Sequence, residues 1–269
     1  MSSHLPNPNK VLGQHYLKNR QVIKTICDDF KEMAEAIIEV GPGPGILTEQ
    51  LSTHQLPFAV IEKDQRFHPH LIKWLPEEMI HIQDALTIDW PQLLERQNWI
   101  DKKVWLVSNL PYNVSSQLLI QFLQVPQIEY MTLMFQKEVG DKILPPRGKN
   151  AMGSLHALTT TYFETKKLIQ VSPGSFSPPP KVESIVITLQ RKNNPSIALS
   201  EFKSFESFLR KLYQFKRKQL GTVLKPHFEK SALAQAMDKL DWDTTVRAEG
   251  LSLEDVHHLY RELTAKETV

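Results

Sequence analysis

Along the first two-thirds of the chain the apolar positions alternate between short continuous runs and helical spacing. Ala36–Val40, Pro57–Ile61, Met79–Ile82, Lys103–Val107 and Tyr130–Phe135 are compact apolar runs ended by glycine, acid or amide, which predicts five buried strands. Between them, helical spacing predicts helices. Val22, Ile23, Ile26, Cys27 and Phe30 follow the N-cap residue Asn19, and Ile46, Leu47 and Leu51 make a second stripe. Phe67, Leu71, Ile72 and Trp74 make a third, and residues 115–124 a fourth. Strands alternating with helices predict a parallel sheet covered on both faces. A helix near 153–163 and strands near 166–171 and 183–189 close this domain, and Ser172–Lys181 is too rich in proline for either element.

Beyond the turn-rich stretch Arg191–Ser196 only helical spacing remains: Phe202, Phe205, Leu209, Leu212; then Leu233, Ala236, Met237, Leu240; then Val256, Leu259, Leu263. The division expected is an α/β domain over residues 1–192 and a small all-helical domain over 193–269.

At 269 residues, 41% apolar and 23% charged, the composition is that of a globular chain of one or two domains. No apolar run reaches the ~20 residues a membrane span needs, and the proline-broken, polar start is unlike a signal peptide. The single cysteine, Cys27, lies in a core stripe and makes no internal disulfide, so a reducing, cytoplasmic setting is expected. The near pairs His68/His70 and His257/His258 lack acidic or thiol partners at ligand spacing, so no metal is expected. Net charge is only +2, but its distribution is uneven. Lys203–Lys225 holds seven basic residues and one acid, while the remainder to Val269 holds five basic and nine acidic. A solvated helix face is the ordinary meaning of such a stripe; as a cluster with Lys211, Lys216, Arg217, Lys218 and Lys225 it is expected to face an anionic partner.

Ligands of open α/β sheets sit at the carboxyl ends of strands. Here the polar residues at four strand ends are Gly41, Glu62, Asp84 and Asn109. Gly41-Pro-Gly-Pro-Gly45 is a glycine-rich turn, but Pro42 and Pro44 have no N–H to offer a phosphate. The glycines suit close approach by an uncharged or cationic ligand, and S-adenosylmethionine fits that description. Glu62 is placed to accept from both ribose hydroxyls and Asp84 from an adenine amino group. A plain strand–helix turn with capping acids is the alternative. Asn109-Leu-Pro-Tyr112 closes the fourth strand. The Asn109 amide oxygen and the Leu110 carbonyl can accept from an exocyclic amine, Pro111 fixes the turn, and Tyr112 offers a ring on which a base can stack.

With these residues the chain resembles the KsgA (RsmA) family of small-subunit rRNA adenine dimethyltransferases. The segments carrying the resemblance are Leu12–Leu17 (LGQHYL), Glu39–Gly45 (EVGPGPG), Val60–Glu62, Gln83–Ala85, Asn109–Asn113 (NLPYN), Phe135–Val139, Phe176–Ser184 (FSPPPKVES) and Arg247–Ser252. The resemblance implies a Rossmann-like methyltransferase sheet and a cofactor site of His15, Leu17, Gly41, Gly43, Glu62, Asp84 and Asn109. It also implies catalysis at Asn109, Leu110, Pro111 and Tyr112, with Phe176 as a second aromatic opposite Tyr112. RNA is expected at Lys181, Lys211, Lys216, Arg217 and Lys218. The implied reaction moves four methyls in total from S-adenosylmethionine to two adjacent adenosines in the helix 45 loop of 16S rRNA, late in small-subunit assembly, by a monomer. Departures fall on expected RNA contacts: Tyr16 for phenylalanine, Met152-Gly-Ser154 for Tyr-Gly-Arg, and Phe215-Lys-Arg-Lys218 for Gln-Arg-Arg-Lys. An Erm-type 23S rRNA methyltransferase and a non-catalytic RNA-binding assembly factor on the same fold are the competing readings. A dehydrogenase is disfavoured by the two loop prolines.

Overall fold

The structure, a computed structural model, describes Pro6 and residues 14–145, 152–243 and 245–264. The N-terminal elements are β1 (Tyr16–Leu17), α1 (Arg20–Cys27), β2 (Ala36–Val40), α2 (Ile46–Leu51), β3 (Phe58–Glu62), α3 (His68–Leu71), β4 (Ile80–Ile82) and α4 (Trp90–Arg96). They are followed by β5 (Val104–Asn109), α5 (Ser115–Leu123), β6 (Ile128–Gln136), α6 (Lys137–Asp141), α7 (Ser154–Tyr162), β7 (Phe163–Val171), β8 (Phe176–Ser177) and β9 (Ser184–Arg191). The C-terminal helices are α8 (Phe202–Tyr213), α9 (Leu220–Leu224), α10 (Lys230–Lys239) and α11 (Leu253–Thr264).

Seven strands make one sheet in the order β4-β3-β2-β5-β6-β9-β7. The pairs β2/β3, β3/β4, β2/β5 and β5/β6 are parallel, as the alternating pattern predicts. Apart from Glu39 and the terminal Glu62, β2 and β3 read as apolar runs because neither face meets water: every residue of both strands is buried. The sheet is mixed, however, because β9 runs antiparallel to β6. β9 is reached through the 172–183 loop and not through a crossover helix, so nothing enforces the parallel direction.

Two local expectations need correction. The third helical stripe holds only Phe67 and Leu71 in the core, while Ile72 and Trp74 are exposed. Pro69 starts a helix of only four residues there, too short to carry the spacing to 72 and 74. The proline-rich 172–181 segment also contains a strand. Between its prolines Phe176–Ser177 pairs antiparallel with Tyr16–Leu17, a two-residue ladder too short to show a period.

The described chain packs as two compact units, Met1–Gly140 with Thr165–Arg191, and Asp141–Glu164 with Lys192–Val269. A single division at 192 therefore does not describe the packing, since residues 141–164 join the C-terminal helices. α7 explains this. It buries Ala157, Leu158, Thr159, Thr161 and Tyr162, too much of its circumference for a surface helix. Tyr162 meets Phe202 of α8 with ring centroids 5.2 Å apart, and Thr161 Oγ1 lies 2.8 Å from His257 Nε2 of α11. In this unit Phe205 and Tyr260 pack edge to face at 5.0 Å. No helix among the described residues is long and apolar enough to cross a membrane.

Candidate active site

β2 has β3 on one side and β5 on the other, so the strand order reverses there and opens a crevice at the carboxyl ends. Gly41, Glu62, Asp84 and Asn109 meet in this one concavity, walled also by His15, Leu17, Gly43, Leu110, Pro111 and Tyr112. The expected cofactor residues and the Asn109–Tyr112 turn are thus brought together within the first unit.

The glycine loop is built for close approach. Gly41, Gly43 and Gly45 have φ of 68°, 55° and 89°, a region L side chains rarely enter. A Cβ at Gly45 would also stand 3.4 Å from the Trp74 ring. No loop N–H remains for an anion. Pro42 and Pro44 have none; Gly41 donates to Ile61 O at 2.8 Å, Gly43 to Glu62 Oε2 at 2.9 Å, and Gly45 to Pro42 O at 3.1 Å. The loop itself therefore offers no N–H cradle for a pyrophosphate.

The acids set the electrostatics. Glu62 Oε1 accepts from Asp64 N at 2.7 Å while Oε2 takes Gly43, so the carboxylate is fixed and each oxygen keeps a lone pair for a ligand hydroxyl. Burial raises its pKa against the backbone N–H groups of Asp64, Gly43 and Lys63. Asp84 caps the turn after β4 by accepting from Leu86 N at 3.0 Å and pairs with Lys63 Nζ at 2.6 Å, which lowers its pKa. Asp64, held to about 2 by Arg66, accepts from Gln14 Nε2 at 3.0 Å.

Glu39 also lines the crevice, a residue whose role the sequence pattern does not single out. It is 1% exposed, accepts from Thr48 Oγ1 at 2.6 Å, and burial lifts its pKa to about 8. An acid inside the buried run Ala36–Val40 was the available signal, because an unpaired charge there would be costly. The folded protein holds this proton more tightly than the unfolded chain does. Its stabilising contribution is therefore complete below the ordinary value of 4.5 and is lost as pH rises through about 8. Glu39→Gln keeps the shape without the titration. The melting temperature of the variant should gain on that of the wild type as pH rises across this window; a gap independent of pH would contradict the buried acid.

Asn109 ends β5 with its amide oriented by the chain itself. Nδ2 donates to His15 O at 3.1 Å, which leaves Oδ1 as the acceptor. The His15 ring stacks on Tyr112 at 5.8 Å and 25°, and its Nδ1 lies 2.8 Å from Pro178 O. Tyr112 OH meets Ser184 Oγ at 2.7 Å. Ser184 is fully buried, and its positioning of Tyr112 has no sequence signature beyond its place in the Phe176–Ser184 segment. The ring that contacts Tyr112 in this structure is that of His15, while Phe176, the expected second aromatic, is buried. Phe176 is 1% exposed and sits in the core beside Leu17, its partner across the β1/β8 ladder.

The expected RNA residues are exposed: Lys181 in the loop before β9, and Lys216, Arg217 and Lys218 in the turn between α8 and α9. The trio lies on a turn and not on a helix face. Lys211, in the last turn of α8, holds its Nζ 5.6 Å from the Phe228 ring centroid. Among the described residues no group of three or more His, Cys, Asp or Glu could hold a metal ion.

The family model described as "Ribosomal RNA adenine dimethylase" matches residues 6–265. The chain belongs to the ribosomal RNA adenine dimethylase family. A curated relative of this chain, "Ribosomal RNA small subunit methyltransferase A" of Staphylococcus aureus, is 32% identical over 267 residues, covering 95% of this chain and 90% of the relative. The fold of this chain is similar to that of a dimethyladenosine transferase from Plasmodium falciparum (TM-score 0.78, 24% identity, 94% of this chain and 98% of that one). It is also similar to that of the 23S rRNA methyltransferase ErmE (TM-score 0.68, 23% identity, 92% and 99%).

Proposed function

We propose that this dimethylase uses S-adenosylmethionine to N6,N6-dimethylate two adjacent adenosines in the helix 45 loop of 16S rRNA, late in assembly of the small subunit in the cytoplasm. The observation carrying this reading is Asn109: a neutral acceptor fixed by His15 O, in the same crevice as a carboxylate fixed by two backbone N–H groups. The match to the small-subunit relative supports the choice of rRNA.

The residues present fit the cofactor. Glu62 has one lone pair per oxygen for the two ribose hydroxyls. Asp84 can accept from the adenine amine. The loop without spare N–H groups admits a cationic, phosphate-free ligand. S-adenosylmethionine supplies a methyl already activated on a sulfonium. Asn109 Oδ1 and the Leu110 carbonyl accept from the target adenine amine as it turns tetrahedral. They stabilise the positive charge that grows on nitrogen while its lone pair forms the N–C bond and the methyl–sulfur bond breaks. The nitrogen then releases a proton to water. Tyr112 offers the base the ring face turned away from His15. Phe176, paired with Leu17 across the β1/β8 ladder, is the second aromatic proposed to stack on the base.

The unit of residues 1–140 and 165–191 carries the chemistry, and the unit of residues 141–164 and 192–269 docks on the immature subunit. Lys181 and the 216–218 turn meet phosphate. Lys216, Arg217 and Lys218 changed together to Gln should weaken binding to the immature subunit and flatten its salt dependence, by ~0.7–0.9 in log–log slope for each phosphate no longer neutralised. Cofactor affinity should be unchanged by calorimetry. A wild-type slope would leave the trio a solvated turn.

The decisive assay supplies labelled S-adenosylmethionine with immature small subunits or with large subunits lacking their own methylation. Dimethyladenosine in the helix 45 loop is expected. Label in 23S rRNA would establish the Erm-type reading, and no label on either would establish a non-catalytic factor.

A further inference from the structure

Phe215 is the unexpected residue of the basic turn. It is 49% exposed, an unusual position for a phenylalanine beside a core whose nearest members, Leu212 and Leu220, are fully buried. The backbone around it is tied down. Lys218 N donates to Phe215 O at 2.8 Å, Glu249 N to Lys216 O at 3.2 Å, and Leu220 N to Val246 O at 2.9 Å. An isolated antiparallel bridge joins Gln219 to Arg247. These bonds present residues 215–218 outward as a short rigid shelf. Lys218 Nζ stands 4.6 Å from the Phe215 ring centroid, a cation–π contact with a ring that remains half exposed. Lys216, Arg217, Lys218 and Arg247 are all exposed around it.

An aromatic ring held flat by a cation, in a rim of positive charge, is the arrangement that binds unpaired nucleotides. The ring takes a base by stacking, and the cations take the flanking phosphates. We infer that Phe215 is a base-stacking residue for an unpaired nucleotide of RNA, with Lys216, Arg217 and Lys218 holding the adjoining backbone. A purely apolar partner, such as a ribosomal-protein surface, is disfavoured because burying this rim of cations would strip them of water. The inference rests on the proposed RNA substrate for its setting, but its chemistry is independent of methyl transfer.

The test uses the full chain with three probes: immature small subunits, a single-stranded oligouridine and a fully paired RNA duplex. Stacking has a signature distinct from phosphate contact. Phe215→Ala should weaken the single-strand probe roughly tenfold at every salt concentration, with the salt slope retained. Binding to the duplex should not change. Phe215→Trp should restore or exceed wild-type affinity, and Phe215→Leu should not. An unchanged melting temperature confirms that each variant is folded. Single-strand affinity of Phe215→Ala within twofold of wild type overturns the inference. So does Phe215→Leu binding as wild type, which would mean an apolar contact with protein. If the wild type methylates neither subunit, the proposed function fails, while the oligouridine result still decides the role of Phe215.

Discussion

Asn109→Ala is expected to lower methyl transfer from the bound complex by roughly a hundredfold, with RNA affinity nearly intact. The reason is differential binding. In the ground state the adenine amine is planar and its lone pair is delocalised, so the Asn109 oxygen gains little. As charge grows on nitrogen the same hydrogen bond becomes charge-assisted, and such groups are worth about 2.7–4 kcal/mol at the transition state. The structure adds a second consequence, because Nδ2 of Asn109 also holds His15 O. Alanine releases that anchor, so a small loss of cofactor affinity should accompany the large loss of turnover. Asn109→Asp keeps an acceptor and should retain more activity than alanine. Single-turnover rates on immature subunits, with affinities measured separately, check this. An equal fall in RNA affinity with turnover preserved would remove Asn109 from the chemistry.

Glu62→Ala should weaken S-adenosylmethionine by well over tenfold. Two hydrogen bonds to an ionised group are each worth about 1.5–3 kcal/mol, and the loop they organise is lost with them. Gly43 N–H and Asp64 N–H both end on this carboxylate, so alanine leaves two backbone donors without acceptors in a part-buried site. The melting temperature should fall for that reason. Glu62→Gln separates the two effects. Its amide oxygen can satisfy one N–H, but its NH2 faces the other donor, so the variant should fold better than alanine and still bind poorly. Calorimetry showing wild-type cofactor affinity in either variant would take Glu62 out of the site.

Much of this molecule is written in its local pattern. β2, β3, β5 and β6 are apolar runs because strands buried on both faces need nothing else. Their ends are equally legible, since Gly41, Glu62, Asp84 and Asn109 interrupt or end apolar stretches where a sheet places its ligands. Asn19 announces the start of α1 and accepts from Gln21 N and Val22 N as an N-cap should.

What the tertiary structure decided are the contacts between residues far apart in sequence that carry no period. The β1/β8 ladder is two residues long, so alternation cannot reveal it, yet it pairs Phe176 with Leu17, and the ring that contacts Tyr112 is that of His15. The antiparallel entry of β9 follows from how the chain returns to the sheet and not from its composition. α7 joins the C-terminal helices because its many buried sides need neighbours that lie beyond residue 192. Ser184 and Glu39 take their roles from Tyr112 and Thr48, which reach them only in three dimensions. Local periodicity encodes which face of an element leaves water. Which element then covers that face, and which polar atoms are thereby aimed at one another, is set by packing among all of them at once.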